Sequence, residues 1–395
     1  MEVTDIQYKK SEIGVIPVDW EVKQLSTIGK FTKGQGIRKE EATIGEIPCI
    51  RYGELYTSHN DYIKEYFSFI SKETAKTARR LKPGDILFAG SGETKEEIGK
   101  CAAFIDNIEA YAGGDIVILS PVDVSPVFLG YLLNAQKIQK QKASKGQGDA
   151  IVHISANQLG SIQIPLPPTK SEQTAIATAL SDTDALIENL EKLIAKKRNI
   201  KQGVMQELLT GRKRLAGFNG EWMKIKLGDI CDIRKGQLIT EKTAAGGEFP
   251  VIAGGINPSY FHNRPNRGKN TITISASGAN AGFVSFHRNP IFASDCSTIE
   301  EKGTFNIVYI FFLLQLFQKK IFKLQTGGAQ PHVYPEHLKP LELVFPQEVT
   351  EQDAIANILI DIDEELSGLE KQMNKYQLIK QGMMQTLLTG KIRLV

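Results

Sequence analysis

The sequence predicts an α+β protein that is built twice, with two variable regions of short strands and helices and two long helices between and after them. Three observations predict this fold class. Near-identical segments recur 179 residues apart, these segments carry a helical heptad pattern, and the regions between them have the composition of short strands and turns. A repeat of this length sets the architecture within which every shorter motif has to be interpreted.

The repeat is strongest in the segment IKQGVMQELLTG at 200–211, which returns as IKQGMMQTLLTG at 379–390. Residues 167–215 align with 346–394 without a gap, and 25 of these 49 positions are identical. Each half of the chain is therefore a variable region followed by a shared segment. The predicted domains are 1–166, 167–215, 216–345 and 346–395.

Weaker matches extend the repeat into the variable regions. His153 corresponds to His332 at the same offset of 179. Near the start of each half, Trp20 and the Lys-Gly-Gln at 33–35 match Trp222 and the Lys-Gly-Gln at 235–237, now at an offset of 202. The second half has therefore lost 23 residues inside its variable region. We expect the shared segments to form a structural frame and the variable regions to carry out recognition.

Each shared segment carries apolar residues at alternating steps of four and three, which is the heptad pattern of a coiled coil. Each begins after proline and has no proline inside, so each is predicted to form one helix on the order of 60 Å long. Lys201 and Lys380 interrupt the apolar seam. They are expected either to fix its register or to extend their stems out of a frayed end. The predicted pairing positions are Ile176, Leu180, Ile187, Leu190, Ile194, Lys201 and Leu208 in the first helix and Ile355, Leu359, Ile362, Leu366, Leu369, Met373, Lys380 and Leu387 in the second.

Charge predicts how the two helices pair. Each helix is acidic in its first half and basic in its second: 172–191 has five acids and no base, and 351–370 has seven acids and no base. Antiparallel pairing sets acid beside base, whereas parallel pairing would stack like charges. Part of the pattern is explained by the helix macrodipole, but the dipole acts only within the first and last turn. The sequence therefore favours an antiparallel coiled coil within one chain.

The variable regions have the alternating pattern of short strands. In the first, 47–50, 85–89 and 116–119 are predicted strands and 127–142 a predicted helix. In the second, 249–253, 271–274 and 282–286 are predicted strands and 307–322 a predicted helix. Each region is therefore expected to be an α+β domain.

Polar loops of the variable regions have side chains that suit DNA. Arg and Lys can read guanine, Asn and Gln can read adenine, and all four can hold a phosphate. The alternative is an ordinary solvated loop, but matched frames with dissimilar loops are what a two-part reader requires. The candidate DNA contacts are Lys33, Gln35, Arg51, Tyr52, His59, Asn60, Ser91, Lys95, Lys145, Gln147 and His153 in the first region and Lys235, Gln237, His262, Asn263, Arg264, Arg267, Lys269, Ser277, Asn280, Gln330 and His332 in the second.

One short motif suggests an enzyme. Residues 88–92, Phe-Ala-Gly-Ser-Gly, match the cofactor loop of S-adenosylmethionine methyltransferases, but such a short glycine-rich match is weak. The second region keeps only the Ser-Gly, and no Asn-Pro-Pro-Tyr or Asp-Pro-Pro-Tyr occurs. His153 and His332 lack a recurring carboxylate or cysteine partner. No catalytic residue, metal site or bound cofactor is therefore predicted for this chain.

Composition favours an intracellular protein. The 395 residues are 41% hydrophobic, with no apolar run long enough to span a bilayer and no secretory signal at Met1–Asp5. The four cysteines have no metal or disulfide spacing, which suits a reducing cytoplasm. A net charge of +3 is too small to argue for nucleic acid by itself.

Taken together, the Trp-x4-Leu-x2-Ile starts with Lys-Gly-Gln, the Ser-Gly turns, Pro-x4-Glu-Gln-x-Ala-Ile-Ala and Ile-Lys-Gln-Gly-x-Met-Gln-x-Leu-Leu-Thr-Gly resemble the specificity subunit of type I restriction-modification enzymes. The resemblance covers essentially the whole chain. It implies two tandem target-recognition domains, separated by two antiparallel helices, each reading one half of a bipartite, asymmetric DNA site. Domain 1–166 would be the first reader and 216–345 the second, with 167–215 and 346–395 as spacer helices.

The resemblance also implies the partners. Two methyltransferase subunits would dock on the helices, and two restriction and translocase subunits would join them. S-adenosylmethionine, ATP and Mg would be bound by those partners, which would methylate adenine N6 and cleave DNA. Lys197 and Thr183 dilute the first seam, which makes the first helix the expected surface for a partner. A coiled-coil adaptor with two protein-binding heads, or a methyltransferase using Phe88–Gly92, remain the alternatives.

Overall fold

The computed structural model describes residues 7–43 and 45–394. The N-terminal segment Met1–Asp5, on which the prediction about a secretory signal rests, lies outside these residues, as does Val395. The chain divides into two compact units, the first formed by Met1–Asn189 with Met373–Val395 and the second by Leu190–Gln372. Within the described ranges, no helix is both long and apolar enough to cross a membrane.

The first unit is a mixed domain of short strands and helices. Its elements are β1 (Tyr8–Ser11), β2 (Gly14–Pro17), β3 (Glu21–Gln24), α1 (Leu25–Ile28), β4 (Gly29–Lys33), β5 (Ile47–Ile50), α2 (Tyr52–Thr57), β6 (Ser68–Ile70), α3 (Lys72–Ala75), β7 (Arg79–Arg80), β8 (Ile86–Ala89), β9 (Ser91–Gly92), β10 (Cys101–Ala103), β11 (Tyr111–Ala112), β12 (Ile116–Pro121), α4 (Pro126–Asn134), α5 (Gln136–Lys145), β13 (Val152–His153), α6 (Ala156–Gly160) and β14 (Gln163–Leu166). The core is built from two four-stranded sheets, in the orders β10-β8-β12-β4 and β6-β5-β11-β7.

Two long helices follow the two domains, as the heptad pattern predicts. They are α7 (Lys170–Leu208) and α12 (Val349–Leu387), each 39 residues long. The beginning of α7 and the end of α12 belong to the first unit, where Ile176, Leu180 and Leu387 join the hydrophobic core. The end of α7 and the beginning of α12 belong to the second unit, where Leu208 and Ile355 do the same.

The second unit repeats the design with shorter connections. Its elements are β15 (Trp222–Lys226), α8 (Leu227–Ile230), β16 (Cys231–Lys235), β17 (Phe249–Ile252), β18 (Tyr260–His262), β19 (Thr271–Ser275), β20 (Val284–His287), β21 (Phe292–Ala293), β22 (Cys296–Glu301), α9 (Ile307–Leu316), α10 (Gln318–Phe322), α11 (Pro335–Leu338) and β23 (Glu342–Pro346). The two larger sheets have the orders β16-β22-β19-β20 and β18-β17-β21. The predicted α+β class and the tandem repeat are confirmed.

The ion pairs within each unit confirm the antiparallel pairing of the helices. In the second unit, Lys197 and Arg198 of α7 bind Glu365 and Glu370 of α12 at 2.7 and 2.6 Å. In the first unit the relation is reversed, because Lys380 of α12 binds Asp184 of α7 at 2.6 Å. The basic half of each helix therefore lies beside the acidic half of the other.

The two seam lysines make matching contacts within their units, and this favours the register role over the frayed-end alternative. Lys201 binds Asp363 at 2.6 Å and lies over the ring of Phe312, 5.2 Å from its centroid. Lys380 has a second carboxylate within reach, because Asp61 lies 3.6 Å away. Each lysine thus ties the two helices to the domain packed against them.

The predicted pairing positions fall into two groups by exposure. Most of them are buried, and the others, which include both seam lysines, are half-buried. The buried ones are Ile176, Leu180, Ile187, Leu190, Ile194, Leu208, Ile355, Leu359, Leu366 and Leu387, and the half-buried ones are Lys201, Ile362, Leu369, Met373 and Lys380.

Four other repeated residues, a glutamine, an arginine, a glutamate and a tryptophan, make the same contacts in both units. Gln173 donates to the carbonyl of Pro167 at 3.0 Å, and Gln352 donates to that of Pro346 at 2.9 Å. The guanidinium of Arg393 binds Glu172 and lies 5.7 Å from the ring centroid of Trp20. In the second unit, the guanidinium of Arg214 likewise binds Glu351 and lies 5.6 Å from the ring centroid of Trp222. These contacts explain why so many polar residues recur in the repeat.

One prediction about secondary structure is wrong in both units. The single helices predicted at 127–142 and 307–322 are each two helices, interrupted at Ala135 and at Phe317. Beside each interruption an amide side chain binds the backbone of a sheet strand or turn. Asn134 donates to the carbonyl of Cys101 at 2.8 Å, and Gln318 donates to that of Gly282 at 2.7 Å. Tertiary hydrogen bonds therefore end a helix that the local pattern would continue.

Candidate functional site

A cleft of about 760 Å³ opens on the first unit where several predicted contacts meet. Lys33 closes β4, Ser91 begins β9 and His153 ends β13, and all three line the cleft together with Gln147. The remaining lining residues are Thr32, Gly90, Asp115, Val117, Ile154, Ser155, Ala156 and Gln158. Four side chains that are far apart in sequence are thereby brought to one place.

The glycine of each Lys-Gly-Gln motif holds its lysine at this position. The amide of Gly34 donates to the carbonyl of Ile116 at 2.8 Å, and the amide of Gly236 donates to that of Cys296 at 2.8 Å. A Cβ on Gly34 would lie 1.9 Å from the carbonyl oxygen of Gly113, and on Gly236 2.0 Å from that of Ser294. Only glycine fits where the backbone crosses this closely.

The paired histidines are held by matching hairpins. Gln147 and His153 exchange backbone hydrogen bonds of 3.0 and 2.7 Å, and Thr326 and His332 exchange bonds of 2.9 and 2.8 Å. Each hairpin has a glycine in the left-handed region, with φ of 110° at Gly148 and 92° at Gly327. The glycines that precede each histidine therefore shape the turn that positions it.

The same residues make different side-chain contacts in the two units. In the first, the Ser91 hydroxyl is 2.9 Å from Nδ1 of His153. In the second, the Ser277 hydroxyl instead donates to the Asp295 carboxylate. His332 stacks on Tyr334 with ring centroids 5.6 Å apart and planes at 4°.

Lys235 completes the arrangement in the second unit. Its ammonium lies 4.9 Å from the centroid of the Tyr334 ring, which is a cation–π contact. Ser155 stands at the position of Tyr334 in the first unit, at the repeat offset of 179. Ser155 lines the cleft of the first unit, whereas the Tyr334 ring contacts both Lys235 and His332 in the second.

Exposure separates the remaining candidates. Exposed side chains are free to meet a ligand, whereas buried ones have structural partners. The exposed ones are Lys33, Gln35, Tyr52, Asn60, Lys95, Gln147, His153, Lys235, Gln237, Asn263, Arg264, Lys269 and Gln330, the half-buried ones are Arg51, Lys145, Arg267, Ser277, Asn280 and His332, and the buried ones are His59, Ser91 and His262.

Three candidates have contacts that favour a structural role. His59 lies inside the domain with Nε2 3.8 Å from the Glu54 carboxylate. Nδ1 of His262 accepts a hydrogen bond of 3.1 Å from the amide of Ala245. Arg267 donates to the hydroxyl of Thr298 at 2.7 Å and to the carbonyl of Lys235 at 2.9 Å. The exposed Arg264 is the stronger candidate in that loop.

Sequence reasoning missed Asp115, Ser155 and Tyr334. Asp115 directly precedes the central strand β12, as Asp295 precedes β22. The acid recurs in the sequence before both strands, but an acidic side chain was not expected to contact DNA. The difference between Ser155 and Tyr334 becomes informative only when the hairpins are placed beside the cleft.

The enzyme alternative loses support from the sheet. Phe88 is buried in β8, which pairs antiparallel with both β10 and β12. The methyltransferase cofactor loop would need a parallel α/β sheet. Among residues 7–43 and 45–394, no group of three or more His, Cys, Asp or Glu side chains is placed to hold a metal ion.

Comparison with known proteins gives a consistent assignment. Residues 17–197 and 219–380 match the model of the type I restriction modification DNA specificity domain. Two relatives from Methanocaldococcus jannaschii are named as specificity subunits of the type I restriction enzymes MjaX and MjaVIII. They are 28% and 25% identical to this chain. The alignments cover 98% and 96% of this chain, and 96% and 94% of the two relatives.

Solved structures share the fold. The crystal structure of a type I restriction-modification S subunit from M. genitalium superposes with a TM-score of 0.70 at 19% identity, covering 98% of both chains. A second chain, solved to explain complex assembly and conformational transition of the type I system, superposes with a TM-score of 0.54 at 16% identity. It covers 95% of this chain and 99% of that one.

Proposed function

Because the chain belongs to the family of type I restriction-modification DNA specificity subunits, we propose that each of its two variable domains reads one half of a bipartite, asymmetric DNA site. The observation that carries this proposal is the repeated placement of lysine, serine and histidine beside a glycine hairpin, with different neighbours in each unit. A shared frame provides equivalent positions for two readers. Different neighbours give the readers different sequence preferences.

The second part of the proposal concerns the helices α7 and α12, which set the spacing between the two half-sites and dock two methyltransferase subunits. In the second unit, α7 exposes Leu193 and Ile200 one heptad apart. Exposed apolar side chains at heptad spacing suit a partner surface. The relative solved in the context of complex assembly supports such partners by analogy of fold.

The family is non-catalytic, and we assign the chemistry to partner subunits. The methyltransferase subunits would transfer a methyl group from S-adenosylmethionine to adenine N6. Two restriction and translocase subunits would use ATP and Mg for translocation and cleavage. The complex would operate on double-stranded DNA in the cytoplasm, where the four buried thiols stay reduced.

Methylation sequencing tests the reader role. The chain is expressed with its methyltransferase subunit in a host that lacks other methyltransferases, and the host with the methyltransferase subunit alone is the control. We expect a bipartite N6-methyladenine motif only when the chain is present. If an assembled complex that binds S-adenosylmethionine gives no new methylated motif, this result would support the coiled-coil adaptor alternative. Methyl transfer by the isolated chain would support the enzyme alternative.

A paired deletion tests the spacing role. One heptad is removed between Asp184 and Lys197 of α7 and one between Glu370 and Lys380 of α12, so that the ion pairs described within each unit are kept. We expect the two half-sites to keep their sequences and to move closer together in the methylated motif. An unchanged spacing in a folded variant would contradict the role of the helices in setting it.

A further inference from the structure

Asp115 is an acidic residue that lines the same cleft as Lys33, on the surface that the proposed function places against DNA. Its side chain is exposed. Within the described ranges 7–43 and 45–394, its carboxylate makes no hydrogen bond and no ion pair. A carboxylate near phosphates lowers the affinity for every DNA sequence, so its presence there calls for a compensating contact.

The backbone around Asp115 is fixed. Its carbonyl accepts a hydrogen bond of 2.8 Å from the amide of Gly90, and the carbonyl of Gly90 accepts one of 2.9 Å from the amide of Ile154. A Cβ on Gly90 would lie 2.9 Å from the carbonyl oxygen of Asp115. A side chain on a rigid backbone can discriminate between ligands because little ordering is needed on binding.

The equivalent aspartate of the second unit makes a hydrogen bond within the protein. Asp295 accepts the hydroxyl hydrogen bond of Ser277. In the first unit the equivalent hydroxyl of Ser91 bonds to His153, which leaves Asp115 free for a ligand. The Tyr334 ring contacts Lys235 in the second unit, whereas Ser155 lines the cleft in the first.

An ionised carboxylate only accepts hydrogen bonds, so its partner must be a donor. In the major groove the donors are the exocyclic amino groups, N4 of cytosine and N6 of adenine. Gln147 lines the same cleft and is exposed, and its amide can both donate and accept. The cleft thus combines a fixed acceptor with an adaptable amide.

We propose that Asp115 is a specificity-determining residue that accepts a hydrogen bond from the exocyclic amino group of a cytosine or adenine in the first half-site, with Gln147 beside it. This inference rests on the proposed function, because it assigns one contact of the first reader. Asp115 contributes to the choice of sequence, and it lowers the affinity for DNA that lacks an amino group at that position.

The test compares two exposed acids of the first unit, Asp115 and Asp149, of which only Asp115 lines the cleft. Asp115→Ala and Asp149→Ala each remove one negative charge and are expected to raise non-specific DNA binding alike. Only Asp115→Ala, which also removes the acceptor from the cleft, should broaden one base position of the first half-site in the methylated motif, with a loss of roughly tenfold or more in preference there. The second half-site should stay unchanged.

A change in the DNA identifies the contact itself. At the base position that broadens, adenine is replaced by purine, or cytosine by the analogue that lacks the N4 amino group. Either replacement removes the exocyclic amino group and leaves the rest of the DNA unchanged. This change should weaken binding by the wild-type complex and leave binding by the Asp115→Ala complex, which has no acceptor there, nearly unaffected. Ser155→Tyr, which introduces the ring found in the second unit, should reduce discrimination at the same position.

The outcomes separate the two levels of the argument. If the wild-type complex gives a bipartite motif but Asp115→Ala leaves every position intact, or weakens all sequences equally, the role of Asp115 is overturned. If the wild-type complex gives no bipartite motif, the proposed function fails and the role of Asp115 fails with it. Equal broadening by Asp149→Ala would show a charge effect and would also overturn the role.

Discussion

The two units place the same lysine, serine, histidine and aspartate on the same backbone, yet they use them differently. In the first unit, Lys33 and Asp115 line an open cleft, and the Asp115 side chain is exposed. In the second, Tyr334 occupies the space beside Lys235, and Asp295 is held by Ser277. The comparison teaches that the binding surface of a recognition domain can be changed by a large or small side chain at one position, while the supporting strands stay the same.

A second difference lies in the cores. Lys142 is buried in the first unit and donates to the carbonyl of Gly99 at 2.7 Å. At the repeat offset of 179 stands Ile321, which is buried against Gly282 in the second unit. Each residue therefore packs on the equivalent glycine turn, but only the first carries a titratable group. The units should differ in how their stability responds to pH.

The largest expected difference concerns the seam lysines. Lys380→Met leaves Asp61, which is buried, without its cation, and should lower the free energy of unfolding of the first unit by about 3–5 kcal/mol. Lys201→Met leaves the more exposed Asp363 able to take up water, so the second unit should lose only about 1 kcal/mol.

Each unit contains one of the two tryptophans, so urea unfolding can be followed in each separately. Trp222→Phe leaves Trp20 as the reporter of the first unit, and Trp20→Phe leaves Trp222 as the reporter of the second. Adding Asp61→Asn to Lys380→Met should recover part of the loss. Equal losses in the two units would contradict the greater burial of the Lys380 cluster.

Lys142 gives the next largest effect. Burial lowers the pKa of Lys142 from 10.5 to about 8. Between these pH values the unfolded chain binds more protons than the folded unit, so the stability of the first unit should rise with pH by up to about 3 kcal/mol. Lys142→Ile, which introduces the residue of the second unit, should remove this rise.

The measurement is the difference between the wild-type chain and Lys142→Ile in urea unfolding from pH 7.5 to 10.5, because that difference cancels the titration of other groups. Lys140→Ile changes an exposed lysine on the same helix and is the matched control. Parallel pH curves for the wild type and Lys142→Ile would show that Lys142 is charged and satisfied in the folded unit.

The smallest difference is expected at the paired glycines. Gly34→Ala and Gly236→Ala each push a Cβ against a backbone carbonyl. Each should lower the free energy of unfolding of its unit by about 1–3 kcal/mol or more. Gly203→Ala, in an open position on α7, should instead stabilise by up to about 1 kcal/mol. A tolerated substitution at one glycine alone would break the equivalence of the two frames.

Much of the fold was predictable from local patterns. The heptad spacing and the charge halves predicted both long helices and their antiparallel pairing, because these signals repeat along one face of a helix. The ends of the shorter helices were not predictable. They depend on Asn134 and Gln318 reaching backbone groups of distant strands.

The candidate site was only partly predictable. Lys33, Ser91, Gln147 and His153 were named from the sequence and lie around one cleft. His59 and His262 were named on the same grounds and are buried, because residue type does not report on burial. Asp115 and Tyr334 were missed, since their importance comes from what stands beside them.

The sequence by itself determined the tandem repeat, the α+β class and the charge-matched helices, because periodicity and composition act over neighbouring residues of one segment. Tertiary structure alone decided which side chains share the cleft and which of the two aspartates is free. Ser91 and His153 are 62 residues apart in the chain and 2.9 Å apart between their bonded atoms. Such a distance is set by the packing of several strands and is not encoded in any single segment.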